Sequence, residues 1–191
     1  MIFEASHVEG VSLLRQQRNE DERGYFARTW CEEEFARQGI RFRAMQCSVS
    51  YSRRIGTVRG LHFAWPPARE GKLVRCQRGR IHDVIVDLRP RSPSFLASYA
   101  VELDAAAGDA LYVPPGVAHG FQTLADDSEV FYMMSEGYRP DMAGGYRHDD
   151  SAFPVRWPLA VTFIDARDAM YCDFDASAHA ARFERAAQSE T

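Results

Sequence analysis

The side chains with the widest chemical reach in this chain are His62 and His119. An imidazole titrates near neutral pH, so either could take up or release a proton. Tyr132 offers a phenol, Lys72 a compact cation, and Arg23 and Arg59 forked guanidinium groups that suit phosphate oxygens. Asp168, at the end of Asp165-Ala-Arg-Asp168, adds a carboxylate. Taken alone, each has an ordinary explanation. The histidines can be packed core residues, Tyr132 can bond the backbone, the cations can be solvated, and Asp168 can cap a turn. Chemistry requires that they meet, so the elements that carry them decide the question.

Those elements read as short strands. Leu73 to Arg78, Ile81 to Leu88, Ser98 to Leu103, Ala110 to Val113, Gly120 to Leu124 and Glu129 to Ser135 are strand candidates. They are separated by Gly79, by Pro90 and Pro93, by Gly108-Asp109, by Pro114-Pro115-Gly116 and by Asp126-Asp127, the last read as a hairpin turn. Many short strands at close spacing imply an all-β sandwich or barrel. Helices are few: Cys31 to Arg37, with Thr29 as cap and Gly39 as stop, and a terminal helix over Ala176 to Ala187 suited to packing or dimer contacts. The 191 residues fit one domain, with a C-terminal extension from about residue 170.

Composition narrows the function class. Hydrophobic residues make up 46% and the net charge is -4, with arginines scattered among acids, so a general nucleic-acid binder is not expected. The four cysteines, Cys31, Cys47, Cys76 and Cys172, have no C-x-x-C spacing and read as reduced thiols. Met1 to Val11 lacks the pattern of a leader, and no apolar run approaches the ~18 residues of a membrane span. A cytoplasmic protein is the expectation.

The run Gly108-Asp-Ala-Leu-Tyr-Val-Pro114-Pro-Gly116-Val-Ala-His119 resembles the second motif of the cupin superfamily, Gly-x5-Pro-x-Gly-x2-His. Metal-binding cupins add a His-x-His…Glu motif, and here Gly60-Leu61-His62-Phe63-Ala64 lacks the second histidine, so no metal is expected. Asp21-Glu-Arg23-Gly-Tyr-Phe26, Gly56-Thr-Val-Arg59-Gly60-Leu61-His62-Phe63, Glu70-Gly71-Lys72, Asp83-Val-Ile-Val-Asp87-Leu88-Arg89, Ala118-His119-Gly120-Phe121-Gln122 and Tyr138-x-Pro140 follow one another in order. Together they resemble the dTDP-4-dehydrorhamnose 3,5-epimerase family over roughly residues 1 to 170.

That resemblance implies a cupin jelly-roll barrel with short peripheral helices. It also implies a homodimer without metal or cofactor, acting on a nucleotide-linked 4-keto-6-deoxyhexose. In that chemistry a proton next to the C4 ketone leaves from C3 or C5, and another returns on the opposite face. His62 matches the family's base, Asp168 its carboxylate partner, Tyr132 the opposing acid, and Lys72 the cation at the enolate oxygen. Arg23 and Arg59 match the diphosphate contacts. Phe26, Gln46, His119 and Tyr138 match positions around the nucleotide and sugar.

Arg59 and His62 stand three apart, so on an ideal strand they face opposite sides. Both reach one pocket only if the strand bulges, and Gly60 is the natural place. The chain also departs from the family. Ser48 stands where the family has Asn, Ala64 where it has Gln, and His82 where it has Phe. The acid–base set is kept, so the departures point to substrate or regiochemistry, including epimerisation at one carbon only. Other chemistries compatible with the sequence are a 3,4-ketoisomerase, a metal-dependent cupin oxygenase and a non-catalytic sugar-binding cupin.

Overall fold

The computed structural model describes residues 1–188. Its strands are β1 (Ile2–Ala5), β2 (Ser12–Arg15), β3 (Arg18–Asp21), β4 (Gly24–Ala27), β5 (Gln46–Ser52), β6 (Thr57–Ala64), β7 (Lys72–Arg78), β8 (Arg80–Asp87), β9 (Ser98–Asp104), β10 (Ala110–Val113), β11 (Val117–Thr123), β12 (Ser128–Met134), β13 (Ala143–Gly145) and β14 (Phe163–Ile164). Three helices accompany them: α1 (Glu32–Arg37), α2 (Ala166–Ala169) and α3 (Ala176–Gln188). The chain is all-β in class.

Two sheets carry the molecule. One has the order β1-β2-β10-β7-β12-β5, and the other β13-β6-β11-β8-β9 with β14 added parallel to β6. The hairpin β3–β4 stands apart as its own two-stranded sheet. Leu13, Val74, Leu111, Val113 and Val130 from the first sheet meet Ile81, Ile85, Leu103, Val117 and Phe121 from the second in one buried cluster. Alternate residues on each strand supply that layer, as face-to-face sheets require.

The second sheet is covered on its outer side as well. Val84 and Val86, the alternates of Ile81 and Ile85, pack with Leu61, Phe63, Trp65, Phe174 and Phe183 in a second cluster. This is why Val84, Ile85 and Val86 are apolar at consecutive positions where a strand buried on one face would alternate. Helix α3 is part of the cover. The His179 Nε2–H donates to the Leu88 carbonyl at 2.7 Å, and its Nδ1 accepts from the Tyr146 hydroxyl at 2.8 Å.

Burial holds the His179 pKa below its ordinary value, and the neutral ring makes both bonds. A depressed histidine resists protonation in the folded state, so stability is lost as pH falls below about 6.5 toward the folded value. Thermal melting from pH 7.5 to 5 should therefore show a decline that is smaller in His179→Gln. The substitution itself should cost about 2 kcal/mol at pH 7.5 from lost hydrogen bonds and packing. An unchanged pH slope in the variant would contradict this role for His179.

The Asp83 to Pro93 stretch also owes much of its form to burial. The buried Asp87 carboxylate accepts from Arg89 Nε at 2.8 Å, Ser92 Oγ at 2.5 Å and Ser94 Oγ at 2.7 Å, pinning the loop after β8.

Three local expectations need correction. Asp126-Asp127 is not a hairpin turn, because β11 and β12 lie in different sheets. The turn crosses between them and is held by its bonds to the β5–β6 connection, Asp127 N–H to the Arg53 carbonyl and Ile55 N–H to the Asp126 carboxylate. The N-cap position of α1 is Cys31, without a side-chain cap, and not Thr29. β11 begins at Val117, directly after the Pro114–Gly116 corner, and not at Gly120. Among the described residues no helix is long and apolar enough to cross a membrane.

Candidate active site

Strand β6 carries both Arg59 and His62, and it bulges between them. His62 lies opposite His119 on β11, while Arg59 lies opposite Phe121. Three steps on β6 thus span two on β11. Gly60 sits at φ 123°, and a Cβ there would lie 2.5 Å from Gly120 Cα and 2.8 Å from the His119 carbonyl oxygen. Only a glycine fits, on grounds of both conformation and space.

The bulge frees a backbone amide, and Asp168 uses it. Asp165 caps α2 by accepting from Arg167 N–H at 2.9 Å, and this short helix turns Asp168 inward. One Asp168 oxygen accepts from Gly60 N–H at 3.1 Å and the other from His62 Nε2 at 2.8 Å. Burial pushes the Asp168 carboxyl upward. The hydrogen bond and charge of His62, the Gly60 amide and nearby Arg167 outweigh it and hold the pKa below the ordinary carboxylate value. An ionised Asp168 fixes Nε2 of His62 as a donor. In the neutral ring Nδ1 then keeps its lone pair, and no described side chain bonds it.

A cavity of about 230 Å³ opens between the sheets at this point. His62 and His119 enter it from β6 and β11 of one sheet. Tyr132, Lys72 and Ser48 enter from β12, β7 and β5 of the other. The Tyr132 hydroxyl bonds no described residue, so it is available to a ligand. Burial drives its pKa far above that of a free phenol, and the charge of Asp83 adds to this. The phenol is therefore a protonated donor at neutral pH. His119 stands edge-on to the Tyr132 ring at 5.8 Å and bonds the buried Asp83 through Nε2 at 2.7 Å. Lys72 Nζ lies 3.3 Å from Glu70 and donates to the His62 carbonyl at 3.4 Å.

The remaining expected residues divide. Tyr138 lines the cavity, and its N–H donates to Gln46 Oε1 at 3.0 Å. Gln46 is one layer back and steadies the wall. Arg59 faces an adjoining recess with Phe163, Asp165, Arg167 and the His62–Asp168 pair, its Nη2 donating to the Tyr51 carbonyl at 2.8 Å. Arg23 and Phe26 do not line this cavity. Arg23 pairs with Asp21 at 2.5 Å with its side chain 89% exposed, and Phe26 is 74% exposed on β4.

Sequence reading did not single out Arg139, Arg167 or Tyr171, which also line the cavity. Arg167 could have been found, since it neighbours Asp168. Tyr171 had no signal beyond its distance of three residues from Asp168. Among the described residues, no three His, Cys, Asp or Glu side chains gather as a metal ion would require.

Known proteins share this arrangement of sheets. The family model described as dTDP-4-dehydrorhamnose 3,5-epimerase matches residues 5–176. A dTDP-4-dehydrorhamnose 3,5-epimerase of Sinorhizobium fredii is 38% identical, over 86% of this chain and 84% of the relative. A dTDP-4-dehydrorhamnose 3-epimerase of Streptomyces niveus is 33% identical, over 84% of this chain and 78% of the relative. The crystal structure of the Bacillus anthracis 3,5-epimerase with TDP and PPi bound superposes with a TM-score of 0.87 and 32% identity, over 91% of this chain and 99% of that one. By the family match and these identities, the chain belongs to the dTDP-4-dehydrorhamnose 3,5-epimerase family.

Proposed function

We propose that this protein is an isomerase that epimerises a nucleotide-linked 4-keto-6-deoxyhexose, dTDP-linked by analogy with its relatives, at C3, C5 or both. In this reading the two sheets form a cupin jelly-roll as a single domain, and a sugar sits between them. The observation that carries the reading is the opposition of His62 and Tyr132. The His62 imidazole, with Nδ1 bonded by no described side chain, lines the cavity from one sheet and the protonated Tyr132 phenol lines it from the other. A carbon held between them can lose its proton to one side and regain one from the other, which is inversion.

The other groups follow from charge. Removing a proton next to a ketone leaves an enolate, and Lys72 is the cation within the cavity to meet its oxygen. Asp168 orients His62 and stabilises the imidazolium that forms. Arg59, in the adjoining recess, suits the diphosphate. Arg23 and Phe26 stand on a hairpin that pairs with neither main sheet, with a large apolar ring exposed. That is the arrangement expected if the protein is a homodimer in which a second copy receives the hairpin.

The test is incubation of dTDP- and CDP-linked 4-keto-6-deoxyglucose with the protein in deuterium oxide, followed by NMR at C3 and C5. Deuterium at either carbon supports the reading and identifies the site of reaction. A lack of incorporation with both nucleotides overturns it.

A further inference from the structure

Tyr171 borders the cavity beside His62 and has no part in the roles above. The turn that delivers Asp168 also delivers this phenol, three residues on and just past the end of α2. Both adjoin one imidazole. Asp168 bonds Nε2, while the Tyr171 ring stands edge-on to His62, with centroids 6.1 Å apart and planes at 71°. Room for the ring comes from β13. Gly145 lies opposite His62 in register, and a Cβ at Gly145 would collide with the Tyr171 ring.

The Tyr171 side chain is half-buried, and no described residue hydrogen-bonds its hydroxyl. Burial raises its pKa, so it remains a neutral donor. The base therefore neighbours a phenol whose hydroxyl no described residue bonds. The two carbons that His62 could address differ on this point. C3 carries a hydroxyl that can pair with a phenol. C5 carries the ring oxygen and a methyl group, and the methyl cannot. Presenting C5 to His62 with its methyl toward Tyr171 would leave a partly buried donor without a partner, which is costly.

We infer that Tyr171 is a specificity-determining residue whose hydroxyl engages the C3 side of the sugar and biases proton abstraction by His62 toward C3. This rests on the epimerase reading above. The small Ser48 and Ala64, which line the same cavity from opposite sheets, leave the sugar room to shift, so that a local hydrogen bond can decide its setting.

The test compares the rates of deuterium exchange at C3 and C5 in the wild type, Tyr171→Phe and Tyr171→Ala, with the dTDP-linked substrate. The phenylalanine variant keeps the ring against His62 and Gly145 and loses only the hydroxyl, so folding is preserved. The wild type should exchange C3 faster than C5. The C3:C5 ratio should fall about tenfold in Tyr171→Phe, the effect of one lost hydrogen bond, and fall also in Tyr171→Ala. A ratio unchanged within about twofold in both variants overturns the inference even if overall rates drop, since a merely structural role slows both carbons together. A wild type that exchanges C5 faster overturns it too. Either result leaves the epimerase reading intact, whereas absence of all exchange in the wild type removes both.

Discussion

Replacing His62 with alanine should lower epimerisation at least about 10³-fold, within the range for loss of a positioned general base. Of the two His62 ring nitrogens, Nε2 is committed to Asp168, which leaves Nδ1, bonded by no described side chain. Melting should barely change, since the ring is partly exposed and its loss opens no core cavity. Asp168→Asn sharpens the test. The amide can present its NH₂ to His62 Nε2, which then accepts and leaves the hydrogen on Nδ1, facing the sugar. A ring so turned cannot take a proton there, and the rate should fall about 10²–10⁴-fold, as for other His–Asp pairs given the wrong tautomer. Steady-state assay of both variants beside thermal melting separates loss of the base from loss of the fold. Retention of wild-type rate in His62→Ala would remove it from the chemistry.

The sequence made some of this visible and concealed the rest for physical reasons. The bulge at Gly60 could be anticipated, because a three-residue spacing and a shared pocket are incompatible with a flat strand. The register shift opposite His119 and Phe121 bears this out. The pairing of His62 with Asp168 was legible only through the family pattern, since 106 residues separate them and no periodicity links them. The strands with apolar alternation or turn signals were found. β1 to β5, β13 and β14 were not named: they are short or lie at sheet edges, where half-exposed residues blur the pattern. The crossing at Asp126-Asp127 looked like a hairpin because a turn's chemistry records its shape but not which sheet the next strand joins. Tyr171 was invisible because its place depends on a four-residue helix and on a glycine in another strand.

Replacing Tyr132 with phenylalanine should uncouple proton removal from inversion. The substitution deletes one oxygen that bonds no described residue, so neither fold nor stability is at stake. His62 would still abstract its proton, and with about a third of its side chain exposed it would trade that proton with solvent. What is lost is the donor on the far face, worth about 10²–10³-fold in the inversion step. The enolate would then be reprotonated chiefly from the side it left, and its original configuration restored.

Tyr132→Phe in deuterium oxide therefore tests the two-faced site most directly, with the deuterium content of recovered substrate measured against that of epimerised product. The account predicts substrate that carries deuterium but keeps its configuration, with little epimer formed. Loss of exchange and inversion in equal proportion, or inversion at the wild-type rate, would contradict it.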